Sequence, residues 1–264
     1  MIRLHKIAFR PLLNYPTFWI LLAMHLILCA FVVFGMEGFI TSFEMNGNAL
    51  SSNDIKQIGL ISFPNIWHNI TYVAGYFKFI LALIIIISVS NDFTYKVFRQ
   101  QIINGLSHEE YLGTKFLVIF WLALTSTVVL GLIGMYMGFY HTQHNAFALV
   151  FEKIDFLGAY LIQNIAYLSL ALVFALLIKR SGLSIGMLIL YTWVIEPIIA
   201  YSLPAHTKKF LPLESLNNLI QFPFRDLIGE VAQESVSLGA TAIALAYILL
   251  FNLLAYVLIR YRDL

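Results

Sequence analysis

Long apolar runs recur along this chain, and they constrain its fold more than any other feature. About 20 consecutive apolar residues in a helix cross a hydrocarbon core about 30 Å thick. Six such runs are present, at about 17–35, 72–90, 114–138, 156–178, 183–202 and 239–259. The sequence therefore predicts an all-α, polytopic membrane protein whose six transmembrane helices form a single domain over 1–264.

Composition supports a membrane environment. Charged residues make up 11% of the chain and hydrophobic residues 60%, and the mean hydropathy is +0.83. A soluble domain carries about 25% charged residues. No alternation of about ten residues recurs, which argues against an outer-membrane barrel. The net charge of +2 gives no indication of nucleic-acid binding, and the single cysteine, Cys29, is expected to pack as a small apolar residue.

The distribution of Lys and Arg predicts the orientation. Cytoplasmic segments beside span ends are enriched in these residues. With six spans, one side holds ten of them: Arg3, Lys6, Arg10, Lys96, Arg99, Lys115, Lys179, Arg180, Arg260 and Arg262. The other side holds Lys56, Lys153, Lys208, Lys209 and Arg225. We therefore expect a multi-pass protein of the inner or plasma membrane with both termini in the cytoplasm.

Two further segments and a set of aromatic residues have a predicted relation to the membrane surface. Residues 3–15 place apolar and basic side chains on different helical faces, as expected for an interfacial helix; a disordered basic N-terminus is the alternative. Segment 203–238 contains several leucines and can dip back into the membrane or lie on its outer surface. Aromatic residues near span ends, Trp19, Trp67 and Trp121 among them, indicate an interfacial belt.

A charged, helix-patterned segment separates the second and third runs. Phe98, Ile102 and Leu106 recur every four residues, which predicts an amphipathic helix over about 92–104. Asn91 or Asp92 can cap its start and Gly105 can end it. Ser107 and Glu110 then form a capping-box pattern that begins the next helix. The polar face fits either a helix resting on lipid or one that contacts another protein.

Part of this segment, "RQQIINGLSHEEYLGTK", resembles the cytoplasmic loop between the second and third spans of type-2 ABC transporter permeases. This exporter class includes bacitracin- and lantibiotic-resistance permeases. Arg99, Gly105, Ser107 and Lys115 occupy the characteristic places. His108 stands where the family more often has Arg, and the ending "YVLIRYRDL" is similar to the family's last span and tail.

The resemblance implies half of an ATP-driven exporter. Two permease chains, identical or different, would form the pathway for a hydrophobic or amphipathic peptide, lipid or drug. Two separate ATPase subunits would bind ATP and Mg²⁺, and this chain has no Gly-x-x-x-x-Gly-Lys-Ser/Thr loop and no cofactor of its own. Segment 92–104 would be the coupling helix. Its ATPase-docking residues would be Asp92, Lys96, Arg99, Gln100, Ile103, Asn104, Gly105, Ser107 and His108.

Four polar residues within the apolar runs are candidates for a transport pathway. Lys78 can snorkel to the outer interface, line a polar cavity or pair across helices. Glu196, which precedes Pro197, can pair with Lys78, be protonated or belong to a polar pathway. Gln163 and Asn164 are expected to bridge helices through hydrogen bonds or, less simply, to line the pathway.

Metal binding and catalysis are not predicted. His141 and His144 have a helical metal-ligand spacing but no evident third ligand. "HEEYL" lacks the second His of a zinc protease, and no Gly-x-Ser-x-Gly elbow exists. Two alternatives to the exporter remain: a membrane anchor or assembly module that recruits a cytoplasmic partner through 92–104 without transport, and a secondary transporter coupled through Lys78 and Glu196.

Overall fold

A computed structural model describes residues 2–42, 44–45, 48–49, 61–142, 146–223 and 233–260. The long helices are α1 (Ile2–Leu13), α2 (Pro16–Ser42), α4 (Lys78–Thr94), α6 (His108–His141), α8 (Asp155–Ile178), α9 (Ser181–Leu190) and α13 (Leu238–Arg260). The shorter ones are α3 (Ile66–Ala74), α5 (Val97–Ile103), α7 (Ala146–Leu149), α10 (Glu196–Ser202), α11 (Ala205–Lys208) and α12 (Pro212–Asn217). A 3₁₀ turn (Gly75–Phe77) joins α3 to α4, and a π-helical turn (Tyr191–Ile195) joins α9 to α10. Two-residue strands, β1 (Glu44–Met45) and β2 (Asn48–Ala49), pair antiparallel.

The prediction of an all-α fold is confirmed, since the described elements are helices apart from the two-residue strands. Five continuous helical stretches are long and apolar enough to cross a membrane: Ile66–Thr94, His108–His141, Asp155–Ile178, Ser181–Ser202 and Leu238–Arg260. A sixth candidate is the bent pair formed by α1 and the first part of α2. Each of the five continuous stretches contains one of the predicted runs, although Ile66–Thr94 begins six residues before the run at 72 and His108–His141 begins six before the run at 114.

The start of the chain forms a sharp corner. Residues 3–13 of α1 and residues 16–31 of α2 meet at 87°. The turn between them is closed by the backbone bonds Tyr15 N to Leu12 O and Phe18 N to Tyr15 O, each 3.0 Å. Ala8 and Leu12 are buried against the bundle, while Arg3, Lys6 and Arg10 are exposed. A helix at this angle to the first span has the geometry expected of an interfacial helix.

Helix α8 lies at the centre of the bundle. It packs against α4, α6, α9 and α13. Of its most apolar 18-residue segment, 67% is buried. In the stretch 181–202 and in helix α13, only 22% of the corresponding 18-residue segment is buried. Their exposed side chains are mainly leucine, isoleucine, valine and aromatic residues. These two spans therefore leave apolar faces for lipid or another chain.

Two glycines let α3 and the residues before it approach α6. An added Cβ at Gly134 would stand 2.5 Å from Ile70 Cδ1 and 2.9 Å from Trp67 Cζ3, and one at Gly138 would overlap the Phe63 ring. Glycines four residues apart commonly permit such close helix packing in membranes. Trp67 is fully buried and donates to Val150 O at 2.8 Å. Assigning Trp67 to the aromatic belt was therefore wrong, whereas Trp19 and Trp121 are exposed.

Residues 211–220 of segment 203–238 pack into the bundle, whereas Leu203 and Phe210 before them are exposed. Leu213, Leu216, Leu219 and Ile220 are at most 6% exposed, and α12 contacts α8 and α13. Their apolar side chains thus belong to the protein core and do not form a free lipid-facing surface. The remainder of the segment, 224–232, lies outside the described residues, as do 261–264. We call the end of the bundle that contains segment 203–238 the far end. It lies opposite the connection between α4 and α6, residues 95–107.

Candidate functional site: a connecting helix and a polar cavity

The connection between α4 and α6 (residues 95–107) contains a separate short helix. Helix α4 continues to Thr94, and Lys96 then adopts a left-handed conformation with φ of 57°. Helix α5 begins only at Val97 and has seven residues. The prediction of one helix over 92–104, capped by Asn91 or Asp92, was therefore wrong. Both residues belong to the last turns of α4.

The end of α5 follows the predicted pattern. Gly105 has φ of +87°, a conformation that favours glycine, and its N–H bonds Ile102 O at 2.9 Å. The capping box is also confirmed: Glu110 N donates to Ser107 Oγ at 3.1 Å, and Ser107 N donates to Glu110 Oε2 at 3.0 Å. The chain therefore stops at Gly105 and begins α6 in a defined direction.

An aromatic cluster seats α5 against both neighbouring spans. Phe98 is 9% exposed, and its ring centroid lies 5.1 Å from that of Phe93 on α4 and 4.7 Å from that of Tyr111 on α6. Leu106, from the same predicted apolar stripe, is also buried. The inward face of α5 is therefore fixed by packing with α4 and α6.

An ion pair joins α4 to α6 just inside the connection. Lys115 Nζ lies 2.5 Å from Asp92 Oδ2, and the two side chains are 11% and 15% exposed. Tyr111 donates its hydroxyl to Asp92 Oδ2 at 2.8 Å, and Lys115 donates to Ser88 Oγ at 3.2 Å. Asp92, predicted to contact an ATPase, thus has its carboxylate engaged within the bundle.

Most of the other predicted docking residues are exposed, on α5 or beside its ends. Lys96, Arg99, Gln100, Asn104, Gly105 and Ser107 are exposed. Ile103 is 74% exposed, an unusual environment for an isoleucine at a helix end. His108 is half-buried, with its ring centroid 6.0 Å from that of Phe98. The exposed set forms one polar surface around an apolar tip.

A polar cavity of about 330 Å³ lies between the stretches 66–94, 155–178 and 181–202, bordered by residues of 217–222. Lys78 points its ammonium over the Tyr167 ring, 5.4 Å from the centroid. The Tyr167 hydroxyl lies 3.1 Å from Thr192 Oγ1. Gln163 donates to Leu216 O at 3.0 Å, while its buried Oε1 has no hydrogen-bond partner. Two of the four predicted intramembrane polar residues, Lys78 and Gln163, therefore share one cavity.

Glu196 does not join Lys78. Its Oε1 accepts hydrogen bonds from Leu213 N at 2.5 Å and Glu214 N at 2.9 Å, in the first turn of α12. No ion pair links Glu196 to Lys78 within the described part of the chain. Glu196 is 2% exposed and follows the π-helical turn directly. Its observed role is to attach the 211–217 segment to the 181–202 stretch.

A second polar cluster was missed in the sequence. His25 Nε2 lies 2.7 Å from Ser126 Oγ, which lies 2.8 Å from the Tyr160 hydroxyl, and His25 Nδ1 lies 3.2 Å from Phe77 O. Cys29 Sγ is 3.5 Å from His25 Nε2, so the thiol has a polar neighbour as well as apolar ones. All four side chains are at most 1% exposed. The cluster binds α2, α6 and α8 together by hydrogen bonds.

The fourth predicted polar residue and the histidine pair stand apart from the cavity. Asn164 is fully buried in α8. His141 Nδ1 lies 3.0 Å from Met137 O, and His144 is outside the described residues. Among the residues the structure describes, no group of three His, Cys, Asp or Glu side chains could hold a metal ion. Comparison with protein-family models and with curated proteins finds no match.

Proposed function

We propose that this protein is the transmembrane subunit of an ATP-driven exporter. Separate ATPase subunits would supply the energy, and the α4–α6 connection would be the cytoplasmic element that receives it. The cargo would be a hydrophobic or amphipathic molecule. In this arrangement α5 is the coupling helix, six spans cross the plasma or inner membrane, and α1 lies along its cytoplasmic surface.

The observation that carries this proposal is the combination of an exposed tip with a fixed base. Ile103 and the polar groups around it are free to enter a groove on another protein. Phe98 and the Asp92–Lys115 pair hold the base to α4 and α6. A force on the tip would therefore move two spans together, as a packed element transmits a displacement without deforming.

The final helix is connected to the same base. The Tyr256 hydroxyl donates to Glu109 Oε1 at 3.3 Å, and Arg260 Nη1 donates to that hydroxyl at 2.9 Å. Glu109 is in the first turn of α6, beside the capping box. Movement of the connection would therefore reach α13 as well as α4 and α6.

The polar cavity favours transport over a purely anchoring role. An anchor needs only packed apolar spans, whereas a pathway needs polar groups accessible within the bundle. Lys78, Gln163 and Thr192 supply such groups in one cavity. Charged groups within membrane spans commonly mark substrate or ion pathways.

The apolar faces of the 181–202 stretch and α13 support pairing with a second permease chain. Trp193 is 61% and Ile198 62% exposed, and Leu249 on α13 is 71% exposed. The polar cavity includes Trp193 at its edge. A second chain, identical or homologous, seated on the 181–202 face would enclose the cavity between the two subunits.

Co-purification tests the coupling role. We would isolate the tagged protein in mild detergent from its native cells and compare wild type with the double variant Arg99→Glu/Ile103→Asp. The control, Arg180→Glu/Leu13→Asp, makes the same chemical changes at exposed sites at the same end of the bundle. Size-exclusion profiles would establish that all three proteins are equally folded.

We expect an ATPase with a phosphate-binding loop to co-purify with wild type and the control, and to be lost from the double variant. Isolation of wild type with no such ATPase would contradict the exporter. Recovery of a different cytoplasmic protein that depends on Arg99 and Ile103 would instead favour the anchor or assembly module.

A further inference from the structure

The Lys78 ammonium has no acidic partner in the described residues. Its contact there is the face of Tyr167, with 5.4 Å between Nζ and the ring centroid. A cation–π contact offsets only part of the desolvation of an ammonium group. Charged side chains within membrane spans are almost always paired with another charge or with backbone carbonyls. The cavity therefore lacks a counter-charge for Lys78.

The lining of the cavity is cationic, amide-rich and aromatic. None of the residues that line it is Asp or Glu. Asn217, Asn218 and Thr192 add neutral hydrogen-bonding groups. Glu196, the acidic residue that the sequence offers as a partner for Lys78, directs Oε1 to the backbone of α12 instead. An anion entering this cavity would meet no fixed negative charge from these residues.

Gln163 is a second, independent sign of a ligand. The side chain is 4% exposed and lines the cavity. Its Nε2 donates a hydrogen bond to Leu216 O, whereas its Oε1 has no hydrogen-bond partner. Gly75 permits this position, because a Cβ there would stand 3.0 Å from Oε1. A buried carbonyl without a partner carries a desolvation cost that a donor group on a ligand would remove.

Size and surroundings define the rest of the ligand. A cavity of about 330 Å³ is large enough for a headgroup or a small molecule. Tyr76 and Trp193 border the cavity and are 55% and 61% exposed. Beyond Trp193 the exposed side chains are apolar, including Ile189 and Val194. A chain attached to the headgroup could therefore lie along the 181–202 stretch.

We propose that this cavity binds an amphiphile with an anionic phosphate or carboxylate headgroup, which pairs with Lys78 and donates a hydroxyl or amide hydrogen to Gln163 Oε1. The apolar chain of the amphiphile lies against Trp193. This assignment names a cargo class for the proposed exporter and rests on that function only for the step of transport; binding itself requires no ATPase.

Binding to the purified protein, without any ATPase, tests the site. The probes share a twelve-carbon chain and differ in headgroup: dodecyl phosphate, dodecylphosphocholine and dodecyltrimethylammonium. Inorganic phosphate provides the same anion without a chain. Each is titrated into protein held in a maltoside detergent, and quenching or enhancement of Trp193 fluorescence is recorded, with Trp193→Phe identifying the signal.

We expect dodecyl phosphate to bind at least about tenfold more tightly than either other amphiphile, because only it supplies an unshielded negative charge to Lys78. Lys78→Met should remove this preference and Lys78→Arg should restore it. Lys209→Gln, at an exposed lysine of the same end, should leave it unchanged. If inorganic phosphate binds as tightly as dodecyl phosphate, the site binds a free anion, and the proposal of an amphiphile is overturned.

Two further results would also overturn the proposal. One is equal affinity of wild-type protein for all three amphiphiles, a comparison that does not depend on the folding of any variant. The other is a cross-link from Lys78 to a carboxylate of a second copy, which would make the missing counter-charge a subunit contact. If binding is selective for the headgroup but no ATPase co-purifies, the proposed binding site stands and the proposed exporter function is contradicted.

Discussion

Single polar residues within the apolar runs have different roles that their sequence positions do not distinguish. Asp92 and Lys115 form a pair across two helices, Glu196 caps a short helix, and Lys78 faces a cavity. Each lies in or beside an apolar run, so the sequence shows only that a charged residue stands in an apolar context and does not predict its partner. Its partner is set by packing between segments that are distant in sequence.

The Asp92–Lys115 pair should contribute measurably to stability. Removing one partner of a pair that is partly shielded from water, as this one is, costs about 1–3 kcal/mol. We expect Asp92→Ala to lower the free energy of unfolding by about this amount, measured by titrating sodium dodecyl sulfate into detergent-purified protein. The double variant Asp92→Ala/Lys115→Met should lose less than the sum of the single losses. Ser88→Ala, which leaves the ion pair intact, serves as the control; additive losses would contradict a direct pair.

Lys78 and Glu196 should behave as independent residues. Because Glu196 bonds the backbone of α12 and Lys78 does not reach it, a double-mutant cycle with Lys78→Met and Glu196→Gln should give coupling below about 0.5 kcal/mol. The same detergent titration measures it. Coupling of about 1–3 kcal/mol would show that the two side chains interact.

At the scale of elements, the sequence predicted helix starts and stops where they depend on backbone conformation or on hydrogen bonds between neighbouring residues. Gly105 and the Ser107–Glu110 capping box are examples, since both act within a few residues. The break at Lys96 had no comparable signal, because Phe93 and Phe98 fit one continuous apolar stripe. The cluster of His25, Ser126 and Tyr160 joins residues 101 positions apart, so no local pattern could predict it.

The α3–α6 contact should depend on its glycines. We expect Gly138→Ala to lower stability by about 1–3 kcal/mol, as overpacking does, because its Cβ would overlap the Phe63 ring. Gly113→Ala is a matched control on the same helix, since nothing lies within 4 Å of its added Cβ. Thermal unfolding in detergent compares the two. Equal melting temperatures would show that the contact is not close-packed in solution.

For the whole molecule, the apolar runs predicted an all-helical membrane protein, whereas the arrangement of the helices required the structure. The central position of α8 and the exposed faces of the 181–202 stretch and α13 follow from packing. The short segment over 205–217 gave no clear signal, since its leucines suit a membrane surface as well as a protein core.

The proposed topology makes a prediction about sidedness. Cys29 is buried, so new cysteines can be labelled selectively. In intact cells, an impermeant maleimide should label Glu152→Cys at the far end and should not label Asn104→Cys until the membrane is opened. Both positions are exposed in the protein. Labelling of Asn104→Cys in intact cells would place the connection outside the cell and remove it from any cytoplasmic ATPase.

The most direct test of the exporter is to identify what touches Ile103. A photo-crosslinking amino acid would be placed at this position in living cells, with the same residue at Arg180 as a control for the other connection at that end. We expect the Ile103 probe to capture, in high yield, a protein carrying a Gly-x-x-x-x-Gly-Lys-Ser/Thr loop, identified by mass spectrometry. Cross-links from Ile103 to lipid alone, or to a protein without a nucleotide-binding loop, would contradict the proposed coupling.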